Sequence, residues 1–81
     1  MNYIIIDTKD YQTGQELSIV KDGNTYDVDF TDGNTFITKK FRDKETPMEI
    51  YKTMTEWFIK GWYSFEDRKD YILKGNYPLP F

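Results

Sequence analysis

Tyr3-Ile4-Ile5-Ile6 opens the pattern with a short run of aromatic and β-branched residues. Such a run predicts a strand over residues 3–7, buried on both faces. Residues 9–16 are polar and contain Gly14, so they read as a loop. From Leu17 the pattern changes to alternation. Leu17 and Ile19 share one face, and Tyr26, Val28 and Phe30 share one on the next segment, where Thr25, Asp27 and Asp29 take the opposite face. Between these segments lies Asp22-Gly23-Asn24-Thr25-Tyr26, and ten residues on the phrase repeats as Asp32-Gly33-Asn34-Thr35-Phe36. Asp-Gly marks a tight hairpin, because glycine accepts the positive φ that the turn requires. Two such turns predict a meander of strands over 17–21, 25–31 and 35–41. With Asp22-Gly23 as the two turn residues, Ile19 faces Tyr26 and Leu17 faces Val28.

The period then lengthens from two to about 3.6. Thr46-Pro47-Met48-Glu49 predicts a helix start, with Thr46 as cap, Pro47 in the first turn and Glu49 closing a capping box. The helix runs to Lys60 and stops at Gly61. Its apolar arc, from Met48 and Ile50 through Met54, Trp57, Phe58 and Ile59 to Trp62, covers about 200°, wider than the roughly 100° stripe that one buried face requires. Ile50, Met54, Trp57 and Phe58 are its expected core residues. Ser64 predicts the cap of a second helix, with Glu66 and Asp67 in its first turn, Lys74 in its last and Gly75 as its stop. Phe65, Tyr71 and Ile72 face inward. The prolines of Tyr77-Pro78-Leu79-Pro80-Phe81 force an extended tail.

The expected fold is one α+β domain over residues 1–81. It is an antiparallel β-meander of three to four strands, covered on one face by two C-terminal helices.

Composition narrows the function more by exclusion than by indication. The 81 residues include six Phe, seven Tyr and two Trp, but no Cys and no His. Thiolate chemistry, disulfides and the usual general base are therefore excluded. No apolar run reaches membrane-spanning length, and the N-terminus lacks the features of a signal peptide, so a cytoplasmic protein is expected. Ser18 and Ser64 have no histidine to activate them, and carboxylate pairs such as Glu66 with Asp70 are routine on helix surfaces. A non-enzymatic protein without a cofactor is expected. Asp27, Asp29 and Asp32 suggest a calcium loop. However, Thr31 takes the third ligand position, Asp32 stands where the glycine belongs and Thr38 where the closing Glu belongs, so no metal site is expected.

Charge is uneven. Residues 1–38 carry a net −5, and residues 39–81 a net +2 that begins at Lys39-Lys40-Phe41-Arg42-Asp43-Lys44. Gly61-Trp62-Tyr63 sits at the end of the first helix, and Trp and Tyr favour interfaces.

Taken together, the order and spacing of these features resemble a family of small phage-encoded anti-CRISPR proteins that inhibit the RNA-guided nuclease of type II-A systems. The resemblance rests on Asp22-Gly23-Asn24-x-Tyr26, on Phe58-x-Lys60-Gly61-Trp62, on Phe65-Glu66-Asp67 and on Asp70-Tyr71. It spans roughly residues 19–73. It implies inhibition by nucleic-acid mimicry, in which acidic side chains fill the basic cleft that reads duplex DNA beside the target. By position, Glu66 and Asp67 match the family's acidic stretch, and Asp22 and Asn24 match a hairpin tip. Arg68 and Lys69 stand where the family continues with acids, Thr25 replaces an acid, and a strand replaces the family's N-terminal helix.

The expected partner is thus a CRISPR nuclease with its guide RNA, contacted by Asp22, Asn24, Trp62, Tyr63, Glu66, Asp67 and Asp70. No direct nucleic-acid or membrane binding is expected, and a monomer or weak dimer is expected. Two other readings stay open: a small nucleic-acid binder using Lys39, Lys40, Arg42 and Lys44, and a structural or assembly module acting through its aromatic surface.

Overall fold

The structure is a computed structural model that describes residues 3–10 and 14–75. Strand β1 (Tyr3–Asp10), β2 (Glu16–Asp22), β3 (Thr25–Thr31) and β4 (Phe36–Phe41) form one antiparallel sheet in the order β1-β2-β3-β4. Helices α1 (Glu45–Lys60) and α2 (Phe65–Lys74) follow and cover one face. This is the α+β meander that the alternation predicts. The expected tail at 77–81 lies outside the described residues.

The two copies of the repeated phrase make different turns. In the first, Asp22 pairs with Thr25, so Gly23-Asn24 is the loop. Gly23 has φ 62° and Asn24 stays at negative φ, the pattern of a type II′ hairpin. The register is therefore shifted from the expected one: Leu17 faces Phe30, Ile19 faces Val28 and Lys21 faces Tyr26. The shift moves the pairing by two residues, which preserves the faces, because side chains alternate with period two. In the second copy Thr31 pairs with Phe36, leaving a four-residue loop. Asp32 holds it: its Oδ1 accepts the N–H of Asn34 at 2.9 Å and of Thr35 at 2.8 Å.

β1 differs from expectation in two ways. It extends to Asp10, taking in residues assigned to a loop. It is also not buried: Ile4, Ile5 and Ile6 are 56%, 60% and 38% exposed. β1 is an edge strand. Ile6 is an extra residue between the pairs Ile5–Val20 and Asp7–Ile19, a β-bulge.

The core lies between sheet and helices. Leu17, Ile19, Val28 and Phe30 meet Ile50, Tyr51, Met54, Trp57, Tyr71 and Ile72. Phe30 anchors its end of the sheet, stacked on Phe65 at 4.8 Å and edge-on to Phe58 at 6.0 Å. Phe58 itself is only half-buried, while Met48 and Ile59 face outward. The apolar arc of α1 is wider than the layer it covers. On the opposite sheet face, Lys40 bridges Asp27 at 3.1 Å and Asp22 at 3.5 Å.

The start of α1 is also not as expected. Lys44 is the N-cap and makes no side-chain cap bond; Thr46 lies within the helix. Asp43 replaces the threonine, accepting the Thr46 N–H at 2.7 Å. The end is a Schellman turn: Gly61 at φ 70° donates to the Phe58 carbonyl, and Trp62 donates to the Trp57 carbonyl at 2.8 Å. α2 begins as predicted, with Ser64 and Asp67 forming a reciprocal capping box, and stops at Gly75. No helix among the described residues is long and apolar enough to cross a membrane.

Candidate partner-binding site

The residues singled out by sequence fall into two groups at opposite ends of the sheet. Asp22 and Asn24 belong to the β2–β3 turn. Trp62, Tyr63, Glu66, Asp67 and Asp70 belong to the α1–α2 corner and the first turns of α2. The corner sits at the Glu16 end of β2, because Arg68 reaches Gln15 at 3.3 Å and Phe65 stacks on Phe30, the partner of Leu17. Six residue steps of about 3.3 Å separate Glu16 from Asp22, so the two groups lie about 20 Å apart. They do not form one site.

The corner is built around a residue that sequence reading places outside. Arg68 is 5% exposed. Its Nε donates to the Trp62 carbonyl at 3.1 Å, and Nη2 donates to the same oxygen. Its guanidinium lies over the Phe58 ring at 3.9 Å. These contacts join α1, the corner, α2 and the start of β2. The spacing of Phe65, Arg68 and Ile72, three and then four residues, places Arg68 on the inward stripe of α2. That periodicity was the available signal; a charged residue on an apolar stripe is easily assigned to solvent instead.

Tyr63 is the one non-glycine residue with positive φ among the described residues, at 66°. Left-handed backbone costs a side-chain-bearing residue roughly 1–2 kcal/mol. In return, the Tyr63 ring meets Trp57 edge-on at 4.6 Å. The Trp62 ring is partly exposed, with Lys60 Nζ 4.5 Å above it.

With Arg68 turned inward, the outward side of α2 is acidic at its start. Glu66 and Asp70 are exposed one helical turn apart. Glu66 pairs with Lys69 at 2.7 Å, and Asp70 with Lys74 at 3.9 Å. The hydrogen bond to Glu66 pushes the Lys69 ammonium above its usual range. Exposed pairs of this kind contribute little to stability, so the lysines can be displaced at small cost. Asp67 is exposed too, but its carboxylate accepts the Ser64 N–H in the capping box.

Most of the remaining candidates have structural partners. Asp22 meets Lys40, and its main-chain carbonyl accepts the Thr25 hydroxyl at 3.0 Å. Asn24 is exposed at the turn. The suspected calcium carboxylates are engaged by the hairpins: Asp27 by Lys40, Asp29 by the Thr38 hydroxyl at 2.6 Å, and Asp32 by its own loop. Among the described residues no cluster suited to a metal ion occurs. In the basic segment, Lys39 donates to the Leu73 carbonyl at 2.8 Å, and Lys40 serves Asp22 and Asp27. The hydrogen bond to Asp27 raises the Lys40 ammonium above its usual range.

Comparison with protein-family models, with curated proteins and with solved structures finds no match to this chain.

Proposed function

We propose that this protein is a non-enzymatic inhibitor that acts in the cytoplasm of a host cell by occupying the DNA-reading cleft of a guide-loaded CRISPR nuclease. The observation that carries the reading is the burial of Arg68. In sequence, Arg68 interrupts the acidic run and opposes entry into a basic cleft. In the fold it packs on Phe58, and the outward charges of α2 are Glu66, Asp67 and Asp70 with their partners Lys69 and Lys74, beside the partly exposed Trp62. Carboxylates on one helix face can pair bidentately with the arginines that otherwise grip DNA. Trp62 and Tyr63 supply the apolar anchor at the helix corner. The distant Asp22–Asn24 turn serves as a separate contact.

The nucleic-acid-binding alternative is weaker, because Lys39 and Lys40 are held by the protein's own groups. Lys40, Arg42 and Lys44 are the exposed basic residues of the segment.

The deciding experiment is cleavage of target DNA by guide-loaded type II-A nucleases, with and without the protein. Wild type is expected to block cleavage, and Glu66→Lys with Asp70→Lys to lose the block while keeping the wild-type circular dichroism spectrum. Unimpeded cleavage at a large excess of wild type, across several such nucleases, would overturn the proposal.

A further inference from the structure

The two edges of the sheet are treated differently. β4 carries Lys39 and Lys40, and Lys39 also ties it to the end of α2. Lysines on an edge discourage pairing with another strand. β1 has this protection only in its second half. There, Asp7, Lys9 and Asp10 are charged, and Asp7 Oδ1 accepts the Thr8 N–H at 2.9 Å, turning the edge back on itself. Its first half, Tyr3-Ile4-Ile5-Ile6, carries no charge, and its three isoleucines are the exposed residues noted above.

These isoleucines lie on both sides of the sheet. Ile5 pairs with Val20, on the face away from the helices, and Ile4 pairs with Lys21, on the helix side. A strand added to this edge must therefore be apolar on both of its faces.

We propose that the occupant is β1 of a second copy of this chain, giving a two-fold dimer with a continuous eight-stranded sheet. β1 itself meets this requirement. With Ile5 opposite its own symmetry mate, Ile4 of each copy lies beside Ile6 of the other on the helix side. The charged half of each strand lies beyond the pairing of the isoleucines. Main-chain hydrogen bonds supply the affinity and the isoleucines the register, as in other strand additions. The contact is isologous, so it closes at two copies instead of propagating. The bulge at Ile6 limits the regular segment, so the dimer is weak and concentration-dependent. The α1–α2 corner is not part of this contact, so the dimer is independent of the proposed inhibitory surface.

The test is sedimentation equilibrium of the full chain from micromolar concentration to about 1 mM, the range in which weak association is populated. The expected result is a mass that rises from 9.8 kDa toward twice that value. Ile5→Lys is expected to hold the chain at the monomer mass, whereas Ile59→Lys, on the 79%-exposed outer side of α1, leaves association unchanged. Should Ile5→Lys fail to fold, Ile5→Thr keeps a β-branched residue, and amide exchange in β1 of the wild-type protein reports the same contact by slowing at high concentration. A monomer throughout the range overturns the proposal. So does a dimer that survives Ile5→Lys or is abolished by Ile59→Lys, and so does an edge that pairs only with a strand of another protein.

Discussion

The Arg68 guanidinium grips the main-chain carbonyl of Trp62 through Nε and Nη2, and so ties the first helix's end to the second helix's interior. The peptide oxygen lies just after the Schellman turn, where the chain is already committed to leaving α1. One buried cation therefore sets the corner on which the candidate binding surface is displayed.

Arg68→Met is expected to lower stability by about 1–3 kcal/mol, the range for removing a hydrogen bond to a charged group and stranding its partner. Arg68→Lys rescues little of this, because one ammonium cannot replace a planar fork lying on a ring. Arg68→Glu is expected to unfold the corner instead of improving binding to a basic cleft. Urea denaturation followed by tryptophan fluorescence checks all three.

Ser64→Ala is expected to cost about 0.5–2 kcal/mol, by removing the N-cap of α2. Asp67 shares that cap, so Asp67→Lys weakens the helix as well as the acidic surface. Glu66→Lys and Asp70→Lys touch only exposed pairs with lysines, and each is expected to leave the urea midpoint nearly unchanged. This contrast separates loss of binding from loss of fold.

Gly23 and Gly33 have φ 62° and 95°, and a Cβ built on either meets open space. Gly23→Val and Gly33→Val are each expected to cost roughly 1–2 kcal/mol through backbone strain alone. Equal melting temperatures for wild type and both variants would contradict the turn assignment.

The pH dependence of stability has two opposing parts. Glu16 faces Asp10 across β1 and β2, and the hydrogen bond and charge of Asp10 push its carboxyl above the usual range. A raised carboxyl favours the folded state below the unfolded pKa of about 4.3, and that contribution is lost as pH rises through the folded value. Glu16→Gln is therefore expected to raise the melting temperature at neutral pH, with the advantage shrinking in acid. Asp32 is held below its usual range by the N–H groups of Thr35 and Asn34, and Asp43 by the hydroxyl and N–H of Thr46. Their contribution is present above about pH 4 and is lost as pH falls through the depressed values. Asp43→Ala is expected to lower the melting temperature at neutral pH and to flatten its acid decline. Thermal melts from about pH 2 to pH 7 measure both parts.

Local chemistry determined the elements. Alternation at Tyr26, Val28 and Phe30 determined the inward face of β3, because strand side chains have a period of two whatever lies beyond them. Gly61, Ser64 and Gly75 determined where the helices stop and start, because caps depend on φ and on a side chain within one turn. What required the tertiary structure was everything set by a neighbour distant in sequence. The same Asp-Gly-Asn-Thr made two different turns, because the pairing of whole strands, not the tetrapeptide, sets loop length. Ile4, Ile5 and Ile6 read as buried, yet lie exposed, because strand order made β1 an edge. Arg68 reads as a surface charge, yet lies inside, because Phe58 and the Trp62 carbonyl meet it only after the corner has closed. Which acids share a surface was likewise decided by the fold: Asp22 and Glu66 look alike in sequence, but the length of the sheet separates them.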